Sequence, residues 1–156
     1  MKSVFLSYFT LLVFLGISCQ AQERFTHTQT GLGFYLPAGW SYMQEGDHFE
    51  ATNPGETVVL LFFVSQTQEA AEGIEAIGHE LDQIMTQTRM TTEVTQEVVN
   101  GLTQIYGEGD GLLDGQRVDW DFTMVMGGAK SMIVVALGEL EKNQATIDWI
   151  YSSIQR

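Results

Sequence analysis

The segment Thr57-Val58-Val59-Leu60-Leu61-Phe62-Phe63-Val64-Ser65 decides the fold. Its seven consecutive apolar residues are β-branched, aromatic or leucine, and the turn formers Asn53-Pro54-Gly55 precede them. A run this short suits a strand rather than a helix. A strand with one wet face would alternate apolar and polar residues. This one does not, so both of its faces should be covered. Each fully buried Val, Leu or Phe contributes roughly 1.5–3 kcal/mol, which makes this strand the anchor of the core.

The segments around it supply a sheet. Leu32–Leu36 reads as a short strand stopped by Pro37, after a polar extended lead-in over Glu23–Thr30. Trp40–Gln44 and His48–Thr52 read as strands around a Gly46-Asp47 turn. Beyond the anchor strand, Ile74, Ile77, Leu81, Ile84 and Met85 trace one stripe of a helix spanning Thr67–Thr88. Ser65 and Gln68 have capping-box spacing at its start, and Glu69, Glu72 and Glu75 suit the positive end of the dipole.

The second half predicts an antiparallel meander. Asn100-Gly101, Asp114-Gly115 and Gly127-Gly128 each fit a two-residue hairpin turn, because these pairs tolerate positive φ. They separate Thr91–Val99, Leu102–Leu113, Gln116–Met126 and Ala129–Leu137. Gln116–Met126 alternates, with Val118, Trp120, Phe122, Met124 and Met126 on one face and Arg117, Asp119, Asp121 and Thr123 on the other. Gly107, Gly109 and Gly111 within the second strand predict a bulge or bend. Ile147, Ile150, Tyr151 and Ile154 mark a C-terminal helix within Glu141–Gln155. The expected class is α+β: a central antiparallel sheet flanked by the long middle helix and the C-terminal helix, an α/β/α sandwich.

The first 22 residues predict a different fate. Lys2 precedes an apolar run from Val4 to Ile17, broken by Ser7, Tyr8, Thr10 and Gly16, and small residues follow. This pattern is that of a secretory signal peptide over residues 1–22, leaving residues 23–156 as a single exported domain. Cleavage after Ala21 would leave Gln22 as the new N-terminus. Alternatively Leu15-Gly16-Ile17-Ser18-Cys19 resembles a bacterial lipobox, in which Cys19 becomes the lipidated first residue. Either way the protein is expected in the periplasm or anchored to a membrane through that lipid alone. Cys19 is the sole cysteine, so a disulfide, a thiol nucleophile and a thiolate metal site within the domain are excluded.

Charge narrows the partners. The formal net charge is −13, and it becomes −14 once Lys2 leaves with the leader. Such a field repels phosphate backbones, which argues against nucleic acid. It leaves solubility, a basic partner or cation attraction.

Catalytic constellations are missing from the sequence. His27, His48 and His79 have no metal-ligand spacing, and no Gly-x-Ser-x-Gly elbow occurs. No cofactor is implied. Glu108, Asp110 and Asp114 on a glycine-rich segment offer oxygen ligands for calcium, although Leu112 breaks the EF-hand spacing. Asp119 and Asp121, sharing a face with Arg117 as their expected partner, form the candidate binding surface. An unpaired buried carboxylate is costly, so these acids should lie at a strand end, on an exposed edge or in a cleft.

The element order over residues 25–155, opening with Gly33-Phe34-Tyr35-Leu36-Pro37-Ala38-Gly39-Trp40, resembles the PsbP-like fold family. That family includes an extrinsic photosystem II subunit, a Ran-binding nuclear-import factor, periplasmic lipoproteins and secretion-effector chaperones. The resemblance implies the sandwich described above and binding or adaptor roles rather than catalysis. The leading expectation is therefore a non-catalytic binding or assembly accessory with a protein partner in the bacterial cell envelope. The alternatives are a small-molecule or calcium-binding periplasmic domain and, behind these, a hydrolase using His48 or the Asp119/Asp121 pair.

Overall fold

The computed structural model describes residues 22–46 and 48–156. Residues 1–21, which include Cys19 and all of the predicted leader but Gln22, lie outside the described residues, as does Asp47. Among the described residues ten strands and two helices are formed, in the order β1 (Glu23–Thr26), β2 (Gly33–Leu36), β3 (Ser41–Glu45), β4 (His48–Thr52), β5 (Val58–Ser65), α1 (Ala70–Ile84), β6 (Thr86–Met90), β7 (Thr95–Val99), β8 (Leu102–Leu113), β9 (Gln116–Met126), β10 (Ser131–Gly138) and α2 (Leu140–Ser152). Eight strands make one antiparallel sheet in the order β3-β4-β5-β10-β9-β8-β6, with β7 also pairing on β8.

The anchor strand, β5, lies between β4 and β10. Its two faces feed two separate clusters. Val58, Leu60 and Phe62 join Met132, Val134 and Ala136 of β10, Phe34 and Leu36 of β2, and Ile147 and Ile150 of α2. The alternate residues Leu61, Ile133, Val135 and Leu137 join Ile77 and Leu81 of α1. Successive strand side chains point to opposite faces, so burying both parities explains why no polar residue interrupts the run.

The lead-in is more ordered than its polarity suggests. Glu23–Thr26 pairs antiparallel with β2 in a separate two-stranded sheet. Phe25 stacks on Phe34 at 5.5 Å and meets the rings of Tyr42 and Phe49 edge-on. One aromatic side chain therefore recruits an otherwise polar segment into the core. The C-terminus clips this hairpin in place: Gly33 N–H donates to the Gln155 carbonyl at 2.7 Å, and Gln155 N–H donates back at 2.9 Å.

The helical stripe ends earlier than its apolar period. Residue Met85 is extended, and Thr86–Met90 pairs with β8 as a strand. Met85 is buried because its side chain fills the space above Gly111, which has no Cβ to obstruct it. The capping box is also absent, since the N-cap is Glu69 and carries no side-chain cap. Ser65 and Thr67 hydroxyls instead accept from the Thr67 and Glu69 amides at 3.3 and 2.9 Å, turning the chain into α1.

Two hairpins form as their dipeptides demand. Asn100 and Gly101 take φ of 52° and 75°, and Asp114 and Gly115 take 50° and 78°. The third differs: Met126 pairs with Ser131, so Gly127–Lys130 is a four-residue loop. A Cβ at Gly127 would stand 2.8 Å from both methyls of Leu32, so this glycine serves packing rather than a tight turn.

No bulge interrupts β8 where the three glycines lie. Its register with β9 is continuous from Thr103↔Met126 to Leu113↔Gln116, and the irregularity falls on β6 between Thr86 and Arg89. The glycines are grooves for side chains. A Cβ at Gly109 would stand 2.1 Å from Trp120 Cζ2, and one at Gly107 would stand 2.6 Å from Phe122 Cε1.

Candidate functional site

The Asp114-Gly115 turn sets the register that builds the site. It places Asp110 opposite Asp119, Glu108 opposite Asp121 and Leu112 opposite Arg117. Residues directly opposite in an antiparallel pair share a face, so four carboxylates converge on one side of β8 and β9. That side carries Val125 and faces α2, while Trp120, Phe122 and Met124 take the side of α1.

The candidate residues divide into two groups. Asp110, the most enclosed of the calcium candidates, is held by two guanidinium groups. Arg89 Nε and Nη2 donate to its two oxygens at 3.0 and 3.2 Å, and Arg117 Nη2 donates to Oδ2. Hydrogen bonding to Arg89, reinforced by Arg117, holds this carboxyl below its ordinary value despite the opposing effect of burial. Arg117 thus reaches Asp110 rather than the Asp119/Asp121 pair. Asp114 is exposed in its hairpin turn, and among the described residues no three His, Cys, Asp or Glu side chains assemble as a metal cluster. His48 opens β4, paired with Glu45 of the edge strand β3, and its Nε2 stands 3.7 Å from Glu50 Oε2.

Asp121 belongs to the second group and is 5% exposed. The hydroxyl of Tyr151 on α2 donates to its Oδ1 at 2.5 Å, and Gln144 Nε2 donates to Oδ2 at 3.3 Å. Burial pushes this carboxyl up to about 6. The bonds from Tyr151 and Gln144 pull it back, while the negative charges of Asp148 and Glu108 add to the rise. Burial beside Asp121 in turn raises the Tyr151 phenol well above its usual value.

Around Asp121 the face opens into a cleft between α2 and strands β7, β8 and β9. Three adjoining cavities of about 670, 330 and 410 Å³ run along it. Their walls carry Glu93, Glu97, Glu108, Asp119, Asp121, Glu141 and Asp148, and among the described residues no lysine or arginine lines them. Tyr106 and Tyr151 stand within the cleft with rings 6.5 Å apart. Burial raises the Tyr106 phenol, and the neighbouring Glu97 adds to the shift. Acidic side chains interleaved with aromatic rings can hold cationic groups by charge and by ring faces together.

Asp119 and Asp121 were legible as a patch from the alternation of β9. Gln144 and Asp148 were not singled out, and Tyr151 was read only as part of the apolar stripe of the C-terminal helix, although the spacing of the three places them on one face of α2. Glu97 and Tyr106 follow from the Asn100-Gly101 turn, which pairs Thr95 with Tyr106 and Glu97 with Gln104.

Comparison with solved structures defines the class: the chain has the PsbP-like fold. It superposes on cyanobacterial PsbP (CyanoP) from Synechocystis with a TM-score of 0.65 at 14% identity, covering 89% of this chain and 94% of that one. LpqN of Mycobacterium tuberculosis, described as involved in cell envelope biogenesis, gives a TM-score of 0.58 at 8% identity over 86% and 90% of the two chains. A protein of Bacteroides thetaiotaomicron gives 0.55 at 13% identity, covering 86% of this chain and 48% of that one. No family sequence model matches the chain, and no curated protein sequence does. Among the described residues no helix is long and apolar enough to cross a membrane.

Proposed function

We propose that the chain is an exported, non-catalytic binding or assembly accessory of the bacterial cell envelope, and that it holds a basic segment of a protein partner in the cleft beneath α2. The observation that carries this reading is the single sign of charge along the cleft, interleaved with tyrosines and with no lining cation among the described residues. A groove of one sign steers oppositely charged partners and suppresses wrong ones. The likeness in fold to LpqN supports an envelope role. Residues 23–156 act as one domain, an α/β/α sandwich supported by the opposite parities of the two core clusters. The leader exports it, and the mature chain begins at a lipidated Cys19 or at Gln22. Intact mass of the exported protein reads which start is used, and a chain retaining Met1 would contradict export.

The test is mild crosslinking of the protein in envelope extracts beside a variant carrying Glu108→Gln, Asp119→Asn and Asp148→Asn. These three residues are exposed, so the variant retains its core. The expected result is a basic partner captured at low salt by the native chain and lost with the variant. Equal capture by both would overturn the reading.

A further inference from the structure

The largest of the three cleft cavities, at about 670 Å³, lies between β7 and α2 and is of the size usual for a ligand pocket. Thr95 and Glu97 stand directly opposite Tyr106 and Gln104 in the β7–β8 ladder, so their side chains share the face on which α2 packs. Ala145, Asp148, Trp149 and Ser152 recur at helical spacing and turn one face of α2 to the same space. Tyr106 and Trp149 are only half-buried against the core and both line the cavity, which leaves ring surface accessible there. Tyr151 is different: it is 3% exposed, and its hydroxyl is committed to Asp121. Glu97 and Asp148 are exposed carboxylates on separate walls, one on β7 and one on α2. Gln144 Nε2 donates to Asp148 Oδ1 at 2.9 Å, which steadies that carboxylate on its helix. After burial, the charges of Glu97 and Asp148 both raise the Tyr106 phenol, so both lie within electrostatic reach of its ring.

We infer that this cavity is an arginine subsite, in which a guanidinium of the partner lies against the Trp149 and Tyr106 rings and donates to the Glu97 and Asp148 carboxylates. The subsite rests on the function proposed above and specifies which side chain anchors the basic segment. A guanidinium is planar, stacks on aromatic faces and carries five N–H donors in a fork that matches carboxylates, so one group uses both kinds of wall. A lysine ammonium is a compact, strongly hydrated point charge that gains less from a flat ring. A quaternary ammonium would use the rings but has no N–H to give the two carboxylates or the Thr95 and Ser152 hydroxyls.

The test titrates the protein with three lysine-rich peptides that differ at one central position, which is arginine, lysine or citrulline. Citrulline keeps the planar shape of arginine without its charge. The readouts are the dissociation constant of each peptide and the indole N–H proton resonance of Trp149, assigned by its loss in Trp149→Phe. The arginine peptide shifts this resonance saturably and binds about threefold to tenfold more tightly than the lysine peptide, the value of one net hydrogen bond, with citrulline the weakest. Glu97→Gln alters an exposed side chain and leaves the core intact. Trp149→Leu keeps apolar bulk against the core and removes the stacking face. Each reduces the preference for arginine over lysine to about twofold or less, while the lysine peptide still binds the rest of the cleft. Binding of none of the peptides would overturn both the subsite and the proposed function. Arginine binding no more tightly than lysine or citrulline, or a preference for arginine that survives both substitutions, would overturn the subsite alone.

Discussion

Replacing Asp121 by asparagine should stabilise the protein at neutral pH and do so progressively less as the pH falls. The native carboxyl is raised from 3.8 to about 6, first by burial and then by Asp148 and Glu108, against the opposing bonds from Tyr151 and Gln144. A raised folded value means that the folded state binds the proton more tightly than the unfolded chain does. The resulting stability is fully present below pH 3.8 and is lost as the pH rises through about 6. A shift of about two units at about 1.4 kcal/mol each is worth about 3 kcal/mol between these limits. Asparagine has the shape of the neutral carboxyl, still accepts from Tyr151 and does not titrate. The stability of the variant minus that of the native chain should therefore grow by about 3 kcal/mol between pH 4 and pH 8. Urea unfolding of both proteins at one-unit intervals measures this difference, and pairing them cancels every other titrating group. A difference that stays flat, or that shrinks as the pH rises, would refute the assignment of Asp121 as a buried, proton-retaining acid.

Further predictions follow from single contacts. Gly109→Ala sets a Cβ 2.1 Å from Trp120 Cζ2 and 2.3 Å from the Arg89 carbonyl oxygen, so it should cost about 3 kcal/mol in urea unfolding. Asn53→Ala removes the acceptor of the Thr57 and Val58 amides at 2.8 and 3.0 Å, leaving them unsatisfied at the entry to β5, and should cost about 2 kcal/mol by the same assay. Arg89→Gln should raise the titration midpoint of the Asp110 carboxyl followed by carbon-detected NMR, because Arg89 is the largest influence holding it down. An unchanged midpoint would show that Arg117 alone suffices.

What the sequence made legible depended on how local the controlling physics is. The lack of alternation in Thr57–Ser65 announced a strand covered on both faces, and burial of both parities agrees. Asn100-Gly101 and Asp114-Gly115 set hairpin registers through backbone preference alone. Those registers were already sufficient to put Glu108 opposite Asp121. Segments governed by distant partners were misread. Thr86–Thr88 was read as the last turn of the helix whose stripe ends at Met85, yet the open edge of β8 and the gap over Gly111 drew it into the sheet. Glu23–Thr26 looked solvated because a single aromatic, Phe25, carries its packing. Gly127-Gly128 looked like a tight turn although Leu32, nearly a hundred residues away, is what requires Gly127. In the site, the carboxylates of β9 were visible as a pattern. Their enclosure was not, because Tyr151 and Gln144 reach Asp121 from 30 and 23 residues away. Arg117 illustrates the same limit: its expected partners were its neighbours on β9, and it reaches across to Asp110 on β8.

The central claim is that the cleft beneath α2 receives a basic segment. Amide-resolved NMR titration with a lysine-rich peptide, at about 0.01 M and about 0.15 M salt, tests it most directly, since the screening length falls from about 30 to about 8 Å between these conditions. The account predicts saturable shifts confined to β7, β8, β9 and α2, with binding weakened about tenfold at the higher salt. Shifts spread over the whole acidic surface, or centred on another face, would contradict it.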